Sequence, residues 1–205
     1  IELAGKEIKR TEQNAEENRV AYMYLNRLER LREFYYGFLS GNVLNGYRYF
    51  MNKGNLEIIT CGFTHGFLPL MNGDTPVRAQ IELAVKSHEQ HFGKAPAGIW
   101  LPECAYYAGL EKILSEYGIK YFFVDTHGIL YAKPRPRYGV YAPVYTSNGV
   151  AAFGRDYYSS KQVWSSKEGY PGDTCYRDFY RDIGYDLDMD YIAPYISPDG
   201  TRVFT

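Results

Sequence analysis

Ionisable side chains recur at the ends of the short β-branched and aromatic segments that the sequence predicts to be strands. The segments are 56–61, 97–101, 120–125 and 150–153, and the side chains are His65, Glu103, Asp125, His127, Arg155 and Asp156. In α/β proteins with parallel strands, ligands bind beyond the carboxyl ends of those strands. The pattern therefore predicts one site at that edge of a sheet.

Glu103 is the sharpest candidate for catalysis. It stands between Pro102 and Cys104, and Trp100 and Tyr106 flank this turn. A carboxylate in such surroundings is not a typical solvated acid, and perturbed acids of this kind are frequent at active sites. The competing interpretation is a glutamate at a helix N-terminus, where the helix dipole favours it.

The histidines permit several interpretations. His65 suits a general acid or base, or a donor to a substrate hydroxyl, and its alternative is a loop histidine bonded to backbone. Asp125 and His127 form an Asp-x-His pair with no third ligand nearby, whereas a catalytic zinc normally takes three. We therefore expect a sugar-binding or structural pair and no metal. His88 and His91 lack the four-residue spacing of helical zinc motifs and are predicted to be surface or packing residues.

Two larger side chains complete the candidate set. Arg155, directly before Asp156, suits the holding of a carboxylate or the donation of hydrogen bonds to hydroxyls, and its alternative is a surface ion pair. Trp164 suits stacking on a sugar ring, and its alternative is packing in the core.

The elements that would position these residues alternate between strand and helix. Apolar spacings of three and four residues predict helices at about 42–51, 75–92 and 110–117, between the strands or before them. Such alternation is typical of an α/β protein with a parallel sheet covered by helices. We divide the chain into a helical segment (1–53), the core strands and helices (54–156) and a long loop region rich in Tyr, Gly, Pro and Asp (157–205).

Composition excludes several classes of protein. The 205 residues carry 24 acidic and 23 basic side chains, a net charge of -1, which argues against a nucleic-acid binder. No apolar run is long enough to span a membrane. Three cysteines without a CxxC motif predict a reducing, cytoplasmic compartment rather than a disulfide framework. The 22 Tyr, 11 Phe and 2 Trp residues indicate either a core or a surface that stacks on sugars or bases.

Three stretches of the sequence resemble glycoside hydrolase family 57. Segment 98–106, GIWLPECAY, is similar to the nucleophile segment of that family. Segments 56–61 and 64–70, LEIITC and THGFLPL, resemble the family block before it, and segments 153–156, 161–164 and 169–173 resemble the stretch that follows. The match runs from about residue 54 to 182 and is most similar to the branch with 1,4-α-glucan branching enzymes and their α-amylase relatives.

The resemblance implies a fold, a substrate and a mechanism. The fold would be a distorted (β/α)7 TIM-like barrel, here only in part, and the partner an α-glucan, with no cofactor. The mechanism would be retaining, with two carboxylates, of which Glu103 matches the nucleophile and His65 a histidine of the subsite where the cleaved glucose lies. The other residues expected in or near the cleft are Trp100, Asp125, His127, Arg155, Asp156 and Trp164.

The sequence also departs from the family pattern. The His-x-His-Gln-Pro block of the family's first strand is absent, and so is the later block with the general acid. The chain opens with Ile1 in a helical pattern, so we expect a portion of a longer polypeptide, with the general acid supplied from elsewhere.

Three activities remain open at this point. The first is glucan branching, in which a glucan 6-hydroxyl outcompetes water, and the Tyr-rich stretch 157–195 would supply an aromatic acceptor groove. The second is an α-amylase or a 4-α-glucanotransferase on the same scaffold. The third is a non-catalytic glucan-binding homologue. Neither oligomeric state nor chain-length preference follows from the sequence.

Overall fold

Short apolar strands alternate with amphipathic helices, and a computed structural model describes this arrangement for residues 1–176 and 183–195. The helices are α1 (Glu2–Arg10), α2 (Ala15–Tyr36), α3 (Val43–Asn52), α4 (Asp74–Phe92), α5 (Leu110–Glu116), α6 (Thr126–Leu130), α7 (Tyr157–Trp164), α8 (Ile183–Asp186) and α9 (Met189–Ile192). The strands are β1 (Thr60–Cys61), β2 (Gly98–Trp100), β3 (Tyr121–Val124), β4 (Val144–Tyr145) and β5 (Ala151–Gly154). Within these residues, no helix is both long and apolar enough to cross a membrane.

The chain divides into two compact units, one of Ile1–Gly46 with Pro171–Thr205 and the other of Tyr47–Tyr170. In the first unit, the Tyr191 hydroxyl donates to Glu7 at 2.6 Å, which joins α9 to α1. The Lys6 ammonium group lies 4.4 Å from the centre of the Tyr191 ring and adds a cation–π contact.

The second unit contains a five-stranded sheet with the order β1-β2-β3-β5-β4. Strands β1, β2, β3 and β5 are parallel, and β4 runs antiparallel to β5 at one edge. The predicted α/β class with a parallel sheet is therefore confirmed. Because the four parallel strands point the same way, their carboxyl ends meet at one edge of the sheet.

The strand predictions were correct in place but not in length. The segment predicted over 56–61 forms a strand only at Thr60–Cys61. In the observed register Thr60 pairs with Ile99. Because β2 begins at Gly98, only one residue before Ile99, residues 56–58 have no residue of β2 opposite them. The sequence does not predict β4, because an alternation of apolar and polar residues cannot be recognised in a strand of two residues.

One face of the sheet forms the core. Alternate residues of the strands point to this face, where Ile99, Phe122 and Val124 are buried. They share one hydrophobic cluster with side chains from α4, α5 and α6, namely Val77, Ile81, Val85, Leu110, Ile113, Leu114 and Ile129. Burial of these side chains fixes the strand ends on which the loops of the site are built.

The opposite face of the sheet is aromatic. Trp100 and Phe123 have ring centres 5.9 Å apart, and Phe123 lies at the same distance from Phe153. Tyr121 crosses the neighbouring strand at Gly98, where a Cβ atom would meet the tyrosine ring at 2.2 Å. A glycine is therefore required at position 98 for the two strands to pack with this ring in place.

The region 157–205 is not one continuous loop. Helix α7 begins at Tyr157, and the Asp156 carboxylate caps it by accepting from the Ser159 N–H at 2.8 Å. The loop prediction was wrong here because the Tyr, Gly and Pro content of the region outweighed this capping signal. Residues 177–182 and 196–205 of the predicted loop lie outside the described part of the chain.

A buried carboxylate holds the loop that follows β2. Glu111, in the first turn of α5, is only 6% exposed. It accepts hydrogen bonds from the Tyr106 hydroxyl and from the Gly109 N–H, both at 2.8 Å. Burial alone would raise the pKa of Glu111, but hydrogen bonds from Tyr106, from its own N–H and from Gly109 outweigh it and lower that pKa. Burial and the Glu111 bond raise the pKa of Tyr106 to about 12.

Replacing Glu111 with Gln should lower the free energy of unfolding by about 1 to 2 kcal/mol at pH 7, because two charge-assisted bonds become neutral. A carboxyl whose pKa is lowered by folding stabilises the fold above its unfolded pKa of about 4.3, and this contribution disappears as the pH falls through the folded pKa. Urea unfolding should thus show a smaller difference between the two proteins at about pH 3 than at pH 7.

The matched control is Glu89→Gln, since Glu89 is an exposed glutamate of α4. This change should leave the free energy of unfolding within about 0.5 kcal/mol. A difference between wild type and Glu111→Gln that stays constant from pH 7 to pH 3 would contradict the stabilising role of the charged form.

Candidate active site

Glu103 projects from the carboxyl end of β2. The buried residues Leu101 and Pro102 fix the start of the turn, and Glu103 and Cys104 then take left-handed backbone conformations with φ of 56° and 54°. Such conformations cost non-glycine residues about 1–3 kcal/mol and persist where the surrounding structure enforces them. The result is a carboxylate whose side chain is 74% exposed, directly above the sheet.

A cavity of about 390 Å³ opens beside this carboxylate. Its lining includes Glu103, Tyr106, Asp125 and His127, together with Phe67 from the loop after β1. A carboxylate at the wall of an open cavity can reach a bound substrate, whereas one sealed in a helix contact cannot. The cavity combines aromatic surface with acidic and imidazole groups, a lining suited to a polyhydroxylated ligand with apolar ring faces.

His65 lies next to Glu103. Its Nε2 atom is 3.7 Å from Oε1 of Glu103, and its own backbone is left-handed, with φ of 57°. A tight turn, in which the His65 N–H donates to the Gly62 carbonyl at 2.8 Å, places the imidazole there. The structure thus brings together the two residues that the sequence analysis placed in one cleft.

Gln80 of α4 holds the loop that carries His65. Its side-chain oxygen accepts from the Thr64 N–H at 2.9 Å, and its side-chain nitrogen donates to the Thr64 hydroxyl at 2.7 Å. Its backbone carbonyl accepts from the Phe63 N–H at 3.2 Å. The sequence analysis missed Gln80 and Glu111, because a polar side chain in an amphipathic helix is indistinguishable there from a solvated one.

Asp125 and His127 follow β3 on the same cavity wall. One oxygen of Asp125 caps α6 by accepting from the Thr126 N–H at 2.7 Å. The other oxygen lies 4.0 Å from Nδ1 of His127. The capping bond fixes the carboxylate, and the exposed imidazole of His127 is left facing the cavity.

Arg155 and Trp100 form a second pair, in which the guanidinium group lies 5.7 Å from the centre of the indole ring. The Arg155 backbone is fixed on both sides, since its N–H donates to Val124 at 2.9 Å and its carbonyl accepts from the Thr126 hydroxyl at 2.6 Å. Arg155 also approaches the Cys104 thiol, which is buried beside Glu103. The arginine therefore sits between the aromatic face of the sheet and the turn that carries Glu103.

Two predicted site residues occupy less direct positions. Asp156 is engaged as the cap of α7, and hydrogen bonds from the Ser159 hydroxyl and N–H lower its pKa. Trp164 ends α7 and is 77% exposed. Neither residue lines the cavity beside Glu103 in the described part of the chain, and the same is true of His65, Trp100 and Arg155. Their role in binding glucan stays a prediction.

The remaining histidine of note is structural. His88 is 5% exposed, and its two ring nitrogens lie 2.8 Å and 3.0 Å from the carbonyl oxygens of Lys94 and Ile58. This agrees with the packing role expected of it. Among residues 1–176 and 183–195, no three His, Cys, Asp or Glu side chains are grouped in a way that would hold a metal ion.

Solved structures with a similar fold include an α-amylase and a branching enzyme. The crystal structure of the α-amylase AmyC from Thermotoga maritima matches 98% of this chain and 39% of its own, with a TM-score of 0.90 and 47% identity. The GH57-type branching enzyme from Pyrococcus horikoshii matches 88% of this chain and 37% of its own, with a TM-score of 0.71 and 32% identity.

A curated sequence gives the same relationship. The 1,4-alpha-glucan branching enzyme TK1436 of Thermococcus kodakarensis is 36% identical over 195 residues, which is 81% of this chain and 28% of that enzyme. The chain thus spans less than two fifths of each of these relatives.

The family itself is shown over almost the whole sequence. The model of Glycosyl hydrolase family 57 matches residues 1–202, and the mostly parallel sheet is part of the barrel that the resemblance implied. The chain therefore belongs to glycosyl hydrolase family 57.

Proposed function

We propose that this chain carries the nucleophile of a retaining α-glucan-active enzyme, and that Glu103 is that nucleophile. The observation that carries the proposal is the exposed Glu103 carboxylate, held in a left-handed turn at the end of β2, 3.7 Å from His65 and open to a cavity. The names of the related enzymes, which are α-amylases and branching enzymes, support an α-glucan as the substrate.

The reaction would proceed in two displacements. The Glu103 carboxylate attacks the anomeric carbon and forms a glycosyl ester, while the glycosidic oxygen leaves with a proton from the general acid. An acceptor hydroxyl then attacks the same carbon, gives its proton to that acid group, and releases Glu103 as a carboxylate. The acid group is expected about 5–5.5 Å from the nucleophile and, by the resemblance, comes from outside this sequence.

The other residues of the cavity would bind rather than react. His127 presents a ring nitrogen and Asp125 one carboxylate oxygen to this cavity, and Nε2 of His65, outside its lining, lies 3.7 Å from the Glu103 carboxylate. These groups suit the hydroxyls of a bound glucosyl unit, and Tyr106 of the same cavity offers a ring face for its apolar side. Arg155, which lies against Trp100 and approaches Cys104, adds positive charge near the turn that carries Glu103.

Within this chemistry we propose branching as the main activity, with a glucan 6-hydroxyl as the acceptor. The support is the similarity to two branching enzymes and the exposed aromatic residues Trp164 and Tyr170 after β5. Hydrolysis of the α-amylase type is the second candidate. It is favoured by the higher identity and TM-score of the T. maritima α-amylase.

Replacing Glu103 with Gln in the full-length protein should reduce glucan turnover by about a thousandfold or more, because the amide cannot form the glycosyl ester. The far-UV circular dichroism spectrum should not change, since the side chain is exposed. Glu89→Gln is the matched control and should retain full activity. Turnover by Glu103→Gln within about tenfold of wild type would contradict the role of Glu103 and favour a glucan-binding homologue.

Replacing Trp164 with Ala should lower the ratio of transfer to hydrolysis by a few-fold, because the acceptor would lose about 1 kcal/mol of ring stacking against water. The assay counts new α-1,6 linkages and new reducing ends after incubation with amylose. Tyr138→Ala, at an exposed tyrosine that follows α6, serves as the control. An unchanged ratio in Trp164→Ala would remove this residue from the acceptor site.

A further inference from the structure

Three side chains form a line from the end of β1 to the proposed nucleophile. The Cys61 sulfur lies 3.1 Å from Nδ1 of His65, and Nε2 of the same ring lies 3.7 Å from the Glu103 carboxylate. We propose that Cys61 is a positioning residue that fixes the tautomer and orientation of His65, so that an Nε2–H group faces Glu103. This proposal rests on the proposed function of Glu103.

The two ends of the imidazole place different demands on their partners. A carboxylate oxygen only accepts hydrogen bonds, so the negative charge of Glu103, 3.7 Å from Nε2 and just beyond hydrogen-bond distance, favours a hydrogen on that nitrogen. In a neutral ring the other nitrogen, Nδ1, is then an acceptor and needs a donor. The Cys61 S–H group is the donor at that position, 3.1 Å away.

The surroundings keep this thiol protonated. Burial raises the pKa of Cys61, and the negative charge of Glu103 raises it further, although a backbone hydrogen bond from Gly62 acts in the opposite direction. A nucleophilic cysteine requires the reverse, a pKa lowered by positive charge. The environment therefore favours Cys61 as a hydrogen-bond donor and not as a second nucleophile.

The position of the sulfur is fixed by the sheet. Cys61 is the last residue of β1 and is in register with Trp100 of β2. The loop that places His65 beside Cys61 is held by hydrogen bonds between Thr64 and the Gln80 side chain of α4. The backbone is therefore fixed both at Cys61 and at the loop of His65. The thiol then determines the orientation of the imidazole ring and which of its nitrogens carries the hydrogen.

Changing Cys61 to Ala in the full-length protein should lower kcat by about three- to tenfold, the value of one hydrogen bond. Cys61→Ser retains an O–H donor and should restore kcat to within about twofold of wild type. Ser115→Ala, at an exposed serine of α5, should have no effect. Failure of serine to restore activity, with the fold intact, would overturn the donor role.

A double-mutant cycle with His65→Ala separates positioning from a general effect on packing. If Cys61 acts through His65, its removal should cost less than about twofold once the imidazole is absent. An equal loss in both backgrounds would show that Cys61 acts independently of His65, contrary to the proposal.

A spectroscopic readout is independent of catalysis. In histidine-labelled full-length protein at about pH 8, where imidazole is ordinarily neutral, the ¹⁵N shifts of His65 should show hydrogen on Nε2. In Cys61→Ala the hydrogen should move in part to Nδ1, and in Cys61→Ser it should stay on Nε2. A wild-type ring protonated on Nδ1 alone would overturn the proposal.

The two measurements also separate this inference from the proposed function. If Glu103→Gln stays active while the His65 tautomer responds to Cys61 as expected, the contact stands and the role of Glu103 fails. If Glu103→Gln is inactive and the His65 tautomer is the same in Cys61→Ala as in wild type, the role of Glu103 as nucleophile is supported and the positioning role of Cys61 is wrong.

Discussion

The site depends on one constraint, the exposure of a carboxylate directly above the end of a buried strand. Leu101 and Pro102 are buried, and the chain must turn at once for Glu103 to reach solvent. It does so through consecutive left-handed residues, an arrangement that ordinary side chains avoid. The strain is local to the residue that would react, as is common where geometry serves chemistry rather than stability.

Three loops of the site are anchored to a helix by a polar side chain. Gln80 of α4 holds the loop after β1, and Glu111 of α5 holds the loop after β2. Thr126 of α6 holds the backbone of Arg155 after β5. The helices thus cover the sheet and also set the positions of groups that would have to be accurate to a fraction of an ångström.

The sequence predicted the elements around the site well because their signals are local. Glycine at the end of α4, β-branched residues in the strands and alternation of the elements all point to one fold class. The sequence singles out Glu103 because its neighbours are unusual for an acid. Gln80 and Glu111 were not, since nothing in a helical period distinguishes a polar side chain that faces a loop from one that faces water. The contact between Cys61 and His65 depends on a left-handed turn that the sequence does not reveal.

Membership of family 57 makes glycosidic bond chemistry the expected reaction, and the proposed nucleophile is the Glu103 carboxylate. The most direct test uses a fluorinated α-glucosyl donor, which forms the glycosyl ester faster than water can cleave it, followed by mass spectrometry of the digested full-length protein. A single labelled peptide with the sugar on Glu103 is expected. A sugar attached to another carboxylate, or turnover of glucan with no labelled Glu103, would contradict it.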